Sequence, residues 1–237
     1  MPVFNAYVDG FNLYMGALKG RPELKWLDLV AFCKAARPDM QLGKIYFFTA
    51  AISEKYPGDD APRRQEKYLR VLAHQGVIVV RGKFQLNDKL LRTVTMQRQS
   101  VFVPELPKLA GISQVALNVV ARKALPTVPK AFVREWKEKG SDVNLGSYLL
   151  RDALLKHISA ALVVTGDSDL VMPVKFAVDA GVNVRVIVPN RKQNASALRN
   201  VATRLRMLHP GDLIVAQLPK TFIGKNGRQI VRPKEWA

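Results

Sequence analysis

Residues 160–170, AALVVTGDSDL, begin with five consecutive apolar residues, and two acidic residues, Asp167 and Asp169, follow this run. Residues 3–13, VFNAYVDGFNL, have the same arrangement, with Asp9 directly behind a mostly apolar run. Runs this apolar are typical of the central strands of a parallel sheet, because such strands are buried on both faces. In open parallel sheets, ligands bind beyond the carboxyl ends of the strands. The two stretches therefore predict central strands with acidic side chains at the ligand-binding edge.

The rest of the chain alternates short β-branched runs with segments of helical period, which is typical of βαβ units. We predict an α/β fold with an open, mostly parallel central sheet flanked by helices, in which the first of five strands is central. The predicted strands cover residues 3–8, 43–50, 77–82, 160–165 and 183–188, and the predicted helices cover about 26–37, 61–75, 142–157, 169–180 and 194–203.

Two segments depart from this alternation. Residues 84–139 combine strand-like runs at 90–103 and 131–138 with a helical pattern at 106–125. We interpret them as a basic, partly antiparallel insertion at the edge of the sheet. In the tail, Asn226-Gly227 separates two alternating segments, which favours a β-hairpin with a two-residue loop. We predict one domain that contains the insertion, followed by a C-terminal extension, over residues 1–210 and 211–237.

The chain is strongly basic. Its 237 residues include 37 Lys and Arg against 19 Asp and Glu, which gives a formal net charge of +18. The excess lies in residues 61–98, 108–139 and 191–237. Such a field attracts polyanions, so nucleic acid is the leading partner class, with a merely basic surface or weak affinity for acidic membranes as the alternative. The candidate nucleic-acid contacts are Arg63, Arg64, Lys67, Lys83, Arg191, Lys192 and Arg199.

Composition also bears on the compartment. Cys33 is the single cysteine, so the chain cannot form an intramolecular disulfide, and a reducing compartment is favoured. The first ten residues lack the basic segment of a signal peptide, and no window of about 18 residues is uninterruptedly apolar. We therefore predict a cytoplasmic protein without a membrane partner, and a homo-oligomer stays open.

The acidic residues behind the two strands predict a metal site. If the strands are neighbours, Asp9, Asp167 and Asp169 converge at one edge of the sheet, where their charges repel one another unless a cation neutralises them. A hard ion that prefers oxygen ligands, Mg²⁺ or Mn²⁺, is the economical explanation. Asn12, three residues after Asp9, is placed to act as an amide ligand or an orienting group. Asp142, near the start of a predicted helix, is a candidate fourth carboxylate.

Helix capping is the alternative explanation for these acidic residues. Asp142 and Asp169 are both good N-cap residues, and for Asp142 alone capping and metal binding are equally favoured. Capping explains less well why two acidic motifs each follow an apolar strand. Asp152 lies ten residues beyond Asp142 on the same predicted helix, about 15 Å along its axis. That separation is too long for a shared ion, so we interpret Asp152 as a solvated residue or one that acts on the site indirectly.

Several other chemistries lack their sequence motifs. No G-x-x-x-x-G-K-[ST] or G-x-G-x-x-G segment follows a predicted strand, and no G-x-S-x-G nucleophile elbow is present. A mechanism of the haloacid dehalogenase type requires a second aspartate two residues after the first, but Phe11 stands two residues after Asp9. Hydrolysis of a phosphodiester by metal-activated water is the chemistry that best fits the remaining residues.

Three segments together resemble the NYN domains of the PIN-like ribonuclease superfamily: YVDGFNLY at 7–14, KGSDVNLGSYLLRDA at 139–153 and VVTGDSDLVMPVKFA at 163–177. The resemblance implies a PIN-like, Rossmann-type parallel sheet with a Mg²⁺- or Mn²⁺-dependent nuclease centre, usually acting on RNA. The positions that match the acidic and amide residues of the family motifs are Asp9, Asn12, Asp142, Asp167 and Asp169.

Two functions remain open at this point. The first is a metal-dependent ribonuclease, for which we expect endonucleolytic cleavage of single-stranded or structured RNA. The second is a catalytically silent RNA-binding or regulatory module that retains the acidic pocket. Phe11, Tyr14 and Phe84 are candidates for stacking on bases, although packing in the core or at its rim is the favoured interpretation for each.

Overall fold

The computed structural model describes residues 2–52, 54, 57–92, 130–190, 192–224 and 227–236, and it describes side chains in these ranges outside 83–92 and 130–139. The chain forms two compact units. The first unit comprises Met1–Phe84 and Glu138–Ala237, and the second comprises Gln85–Lys137. The carboxylates considered above all belong to the first unit.

A parallel sheet of six strands forms the centre of the first unit. Its strand order is β3-β2-β1-β5-β6-β7, and every neighbouring pair in that series is parallel. The predicted α/β class and the central place of the first strand are confirmed. The strands of the described chain are β1 Val3–Asp9, β2 Gln41–Ala50, β3 Ile78–Arg92, β4 Lys130–Lys139, β5 Ala160–Val164, β6 Asn183–Val188, β7 Arg204–Met207, β8 Thr221–Ile223 and β9 Gln229–Val231.

The sixth parallel strand, β7, was not predicted from the sequence. It has only four residues, RLRM, and two of them are arginines, so it lacks the apolar run that marks a central strand. As the strand next to β6, it is paired from Arg185↔Arg204 to Val188↔Met207.

Helices connect the strands at the predicted places, with shorter bounds. The helix predicted from residue 26 begins at residue 29, because Asp28 caps it by accepting a hydrogen bond from the Ala31 N–H. Gly76 and Gly181 follow two of the helices with φ of +85° and +90°. The helices are α1 Gly10–Leu13, α2 Leu29–Ala36, α3 Ala61–His74, α4 Ser141–Leu154, α5 Val171–Asp179, α6 Ser196–Val201 and α7 Pro210–Ile214, with a π-helical turn at Tyr14–Leu18 and 3₁₀ turns at Pro22–Leu24, Ser168–Leu170 and Lys234–Trp236.

Both faces of the sheet are covered, which explains why the central strands are so apolar. Along β1, Phe4 and Val8 pack into one hydrophobic core, together with α2 and α3. Tyr7 packs into a second core on the opposite face, together with α4 and α5. The alternation of side chains along the strand therefore supplies both cores. Within the part of the chain that the structure describes, no helix is long and apolar enough to cross a membrane.

The C-terminal hairpin is confirmed, but the predicted two-residue loop is too short, because five residues, 224–228, separate the two strands. Strands β8 and β9 are antiparallel, and Phe222 pairs with Ile230. In the connecting loop Gly227 has φ of +74°, a conformation that favours glycine, whereas Asn226 lies outside the described residues.

The second unit contains the far part of β3 and most of β4, which are neighbouring strands. Most of the predicted strand at 90–103 and all of the predicted helix at 106–125 lie outside the described residues. Lys83 belongs to β3, but its side chain also lies outside the described part of the chain. Its predicted contact with nucleic acid therefore stays a prediction.

Candidate active site at the carboxyl edge of the sheet

Asp9 is the last residue of β1, and its buried carboxylate is held by two hydrogen bonds. The Asn12 N–H donates to Oδ1 at 2.8 Å, so Asp9 is the N-cap of α1. The Thr165 hydroxyl donates to Oδ2 at 3.1 Å. One carboxylate therefore starts the helix after β1 and also contacts the residue that follows β5.

Thr165 and Asn12 join the two acidic motifs. The Thr165 hydroxyl, which donates to Asp9, also accepts a hydrogen bond from the Asp167 N–H at 3.1 Å. The Asn12 side-chain oxygen accepts a hydrogen bond from the Gly166 N–H at 3.0 Å. Strands β1 and β5 are parallel neighbours, so both motifs leave the same edge of the sheet. Asn12 thus orients the loop after β5, while its predicted role in a metal pocket stays a prediction.

The turn after β5 presents two carboxylates in different ways. Asp167 accepts a hydrogen bond from the Asp169 N–H at 3.0 Å and caps the 3₁₀ turn at 168–170. Asp169 is exposed and does not cap a helix, since the residue at the N-cap of α5 is Leu170. The alternative explanation of Asp169 as a helix cap is therefore wrong. Asp167 caps the 3₁₀ turn instead, because its backbone is extended, whereas Asp169 lies inside the turn.

Asp142 lies close enough to these carboxylates to be affected by their charge. It is in the first turn of α4, and the N-cap of that helix is Gly140, with φ of +93°. Capping therefore does not explain Asp142. Burial and the charges of Asp167 and Asp169 raise the pKa of the half-buried Asp142 carboxyl above its usual value. The three acidic side chains share one region of the carboxyl edge.

The carboxylate oxygens, together with the Asn12 amide, are the kind of donors that suit Mg²⁺ or Mn²⁺. In the described ranges, however, no three His, Cys, Asp or Glu side chains are arranged as a group that could hold a metal ion. The chemistry of the donors fits the ion, while the carboxylates do not form a ready ligand set. The predicted site therefore stays a prediction.

The loop after β6 contacts the acidic loop. The Gln193 side-chain amide donates to the Gly166 carbonyl at 2.6 Å, and the exposed Lys192 precedes Gln193 in this loop. Arg199 is also exposed, on α6, whereas Arg191 lies outside the described residues. Lys192 is thus a predicted RNA contact whose neighbour in the chain, Gln193, is hydrogen-bonded to the loop of the second acidic motif.

Helix α3 also begins at the carboxyl edge. The Gln65 side-chain amide donates to the carbonyl of Ala50, the last residue of β2, at 2.9 Å. Near this helix start, Arg63 is exposed, while Arg64 and Lys67 are half-buried. Both arginines have an acidic side chain 3.7 Å away. These residues lie at the same edge of the sheet as the acidic motifs, and the ion pairs reduce the net charge that the two arginines offer. Their contact with RNA stays a prediction.

Asp152 is buried, so the first of its two interpretations, a solvated residue, is wrong, while the second, an indirect action on the site, stays open. Its side chain is 3% exposed and accepts hydrogen bonds from the Tyr7 hydroxyl at 2.7 Å, from Arg151 Nε at 2.9 Å and from Asn5 Nδ2 at 3.4 Å. Burial alone would raise the pKa of the Asp152 carboxyl, but the bonds from Tyr7 and Arg151 outweigh burial and hold the pKa below its usual value. The sequence feature that could have indicated a buried partner for Asp152 is the polar pair Asn5 and Tyr7 within an otherwise apolar strand.

Comparisons with known proteins give one distant curated relative and one solved structure. No protein-family model matches the chain. The chain is 28% identical over 258 residues to 6-hydroxy-3-succinoylpyridine 3-monooxygenase HspA of Pseudomonas putida (strain DSM 28022 / S16), covering 97% of this chain and 74% of that protein. That relative is named as an enzyme. The crystal structure of a protein of unknown function, VPA0982 from Vibrio parahaemolyticus RIMD 2210633, aligns with 88% of this chain and 93% of that one, at a TM-score of 0.49 and 14% identity.

Proposed function

We propose that this protein is a metal-dependent ribonuclease that hydrolyses phosphodiester bonds at the carboxyl edge of its parallel sheet. One observation carries the proposal: a single hydroxyl, that of Thr165, bonds both the Asp9 carboxylate and the backbone of Asp167. Acidic residues from two neighbouring strands are thereby fixed at the edge where parallel sheets bind ligands. A fold does not need this arrangement merely to end two strands.

Asp9, Asp142, Asp167 and Asp169 are the residues that would hold Mg²⁺ or Mn²⁺. When bound, such an ion lowers the pKa of a water molecule and stabilises the charge that develops on the scissile phosphate. The raised pKa of Asp142 supports this assignment, because burial, and after it the charges of Asp167 and Asp169, make the charged form of Asp142 unfavourable. A cation between them would relieve that repulsion.

The other residues of the site position these groups. Thr165 fixes the orientation of Asp9, and Asn12 fixes the loop that begins at Gly166. Lys192, on the adjacent loop, is exposed and attracts the phosphates of an RNA strand toward the carboxylates. In this proposal the carboxylates carry out the chemistry, and the basic side chain of Lys192 contributes to RNA binding.

A cleavage assay tests the proposal. The purified chain is incubated with labelled single-stranded RNA, hairpin RNA and single-stranded DNA, in Mg²⁺, in Mn²⁺ and in EDTA. We expect RNA cleavage with a divalent ion and none in EDTA. RNA binding without cleavage under all three conditions would instead support the silent RNA-binding module, and cleavage that continues in EDTA would contradict the role of the metal.

We also expect RNA binding to weaken steeply with salt. Neutralising about six phosphates of a single strand gives a slope of about −4 in a plot of log affinity against log salt concentration.

Lys192→Glu should weaken binding to all RNA sequences alike, because phosphate contacts carry no sequence information. Lys34→Glu is the matched control, since Lys34 is exposed in the last turn of α2, which leads to the opposite edge of the sheet. Fluorescence anisotropy over a salt series measures both effects, and an affinity that is flat with salt would refute the electrostatic account.

The name of the curated relative raises a second candidate, a monooxygenase of a hydroxypyridine substrate. The two candidates are separated by supplying 6-hydroxy-3-succinoylpyridine, oxygen and a reduced nicotinamide or flavin, and following substrate loss and oxygen uptake. The ribonuclease proposal expects neither. Oxygen-dependent loss of the pyridine by the purified chain, without RNA cleavage, would favour the monooxygenase.

A further inference from the structure

The segment that follows Asp9 lies along the carboxyl edge of the sheet, from the end of β2 to the end of β6. A Cβ added at Gly10 would lie 2.8 Å from the Phe48 carbonyl oxygen, and one added at Gly16 would lie 2.8 Å from the Asn190 backbone nitrogen. Real Cβ atoms do not approach backbone so closely, so both glycines are needed for this packing. Helix α1 and the π-helical turn after it are therefore held against both sides of the acidic motifs.

This segment exposes a strip of large apolar side chains. Phe11, Tyr14 and Met15 are 47%, 41% and 45% exposed. Their spacing of three and four residues places them on one face of the segment, and Leu13 and Ala17 of the same segment are buried in the core. The strip is thus the outward face of the element that begins at Asp9.

Positive charge lies on both sides of the strip. The Lys25 ammonium is 5.5 Å from the centre of the Tyr14 ring. At the other side, Gly16 packs against Asn190, and that loop continues to the exposed Lys192. Exposed aromatic rings between basic side chains are the combination by which proteins bind single-stranded nucleic acid.

We propose that the strip formed by Phe11, Tyr14 and Met15 is a stacking surface for unpaired bases, so that the RNA bound at this site is single-stranded. The inference rests on the proposed function, which it deepens by naming the form of the substrate. Bases in a duplex are already stacked and cannot offer a free face to a protein ring, whereas the bases of a single strand or an open loop can. The phosphates of the same strand then lie within reach of Lys25 and Lys192.

Anisotropy measurements in EDTA test this inference without any need for cleavage. They use the Asp169→Asn chain as the parent, so that no RNA is consumed. The probes are a 12-nucleotide single-stranded RNA, a blunt duplex of the same length and a 12-nucleotide abasic strand. We expect Phe11→Ala and Tyr14→Ala each to weaken binding of the single strand by roughly 5- to 150-fold, with little change for the duplex and the abasic strand.

Phe176→Ala is the matched control. Phe176 is the same residue type with the same 47% exposure, but it lies in the second half of α5, away from the carboxyl edge. We expect it to bind all three probes as the parent does. Phe11→Leu keeps an apolar side chain while removing the ring, so a loss of binding in that variant, with an unchanged melting temperature, cannot be assigned to misfolding.

The outcomes separate this inference from the proposed function. Single-strand affinity that survives Phe11→Ala and Tyr14→Ala, or a fall that is equal for the abasic strand, overturns the stacking surface even if the wild-type chain cleaves RNA with Mn²⁺. A loss confined to the single strand supports the surface even if no cleavage is ever seen. A parent that binds a protein partner but none of the three probes also overturns it.

Discussion

Replacing Asp169 with Asn will reduce RNA cleavage by about 100-fold or more, because removing one carboxylate from the proposed metal site withdraws a part of several kcal/mol of transition-state stabilisation. The fold should survive the change. The Asp169 side chain is exposed and caps no helix, and the hydrogen bond in this turn uses its backbone N–H, which Asn retains. RNA affinity should hold or rise, since a charge that repels phosphates is gone.

Asp179→Asn is the control for this variant. Asp179 is the last residue of α5, exposed and paired with Lys175, and it lies at the far end of the helix that follows Asp169. It should cleave RNA at the wild-type rate. Cleavage is measured under single-turnover conditions with melting temperatures matched, and Asp9→Asn and Asp167→Asn should resemble Asp169→Asn. An Asp169→Asn protein that cleaves at the wild-type rate would place the nuclease centre elsewhere or show it to be a contaminant.

The sequence was sufficient to predict that two acidic motifs meet, because that prediction depends on short-range patterns. An apolar run followed by an acidic residue identifies the end of a buried strand, and parallel strands end at a common edge. The hydrogen bonds that join Asp9 to Asp167 both involve the Thr165 hydroxyl. The choice of that hydroxyl depends on the register of β1 and β5, which a sequence does not specify.

Two of the errors arise from contacts between distant parts of the chain. The burial of Asp152 depends on Tyr7, 145 residues away, and no local pattern shows that a polar strand residue faces the end of a helix. Strand β7 forms because its backbone pairs with the edge of β6, whereas the local sequence RLRM does not itself favour a strand. The capping of the turn after β5 has a different, local cause, because the backbone conformation at Asp167 decides which aspartate caps it.

Asp152→Ala should lower the free energy of unfolding by about 2 to 4 kcal/mol, because the buried Tyr7 hydroxyl and the Asn5 amide lose an acceptor that nothing replaces. Tyr7→Phe removes one donor and should cost about 1 to 2 kcal/mol. Asp179→Ala, which breaks only an exposed pair with Lys175, should cost about 0.5 kcal/mol or less. Denaturant unfolding at pH 7 measures all three.

The pH dependence of stability distinguishes this network from an ordinary loss of packing. The pKa of Asp152 is lowered in the folded protein, so its stabilising effect is present above the pKa of an unfolded aspartate, about 3.9, and is lost as the pH falls through the folded value. Burial and the bond to Asp152 raise the pKa of Tyr7, so the stabilising effect of its neutral form is present below about pH 10 and is lost as the pH rises further.

The difference in unfolding free energy between wild type and Asp152→Ala should therefore be constant near neutral pH and shrink below about pH 4. A difference that does not change with acidification would mean that the lost stability comes from packing alone. Below its melting temperature, Asp152→Ala should cleave RNA at the wild-type rate. Asp152 contacts β1 at Asn5 and Tyr7, which precede Asp9, the last residue of that strand. A variant that stays folded but loses cleavage would instead tie this buried carboxylate to the chemistry at the carboxyl edge.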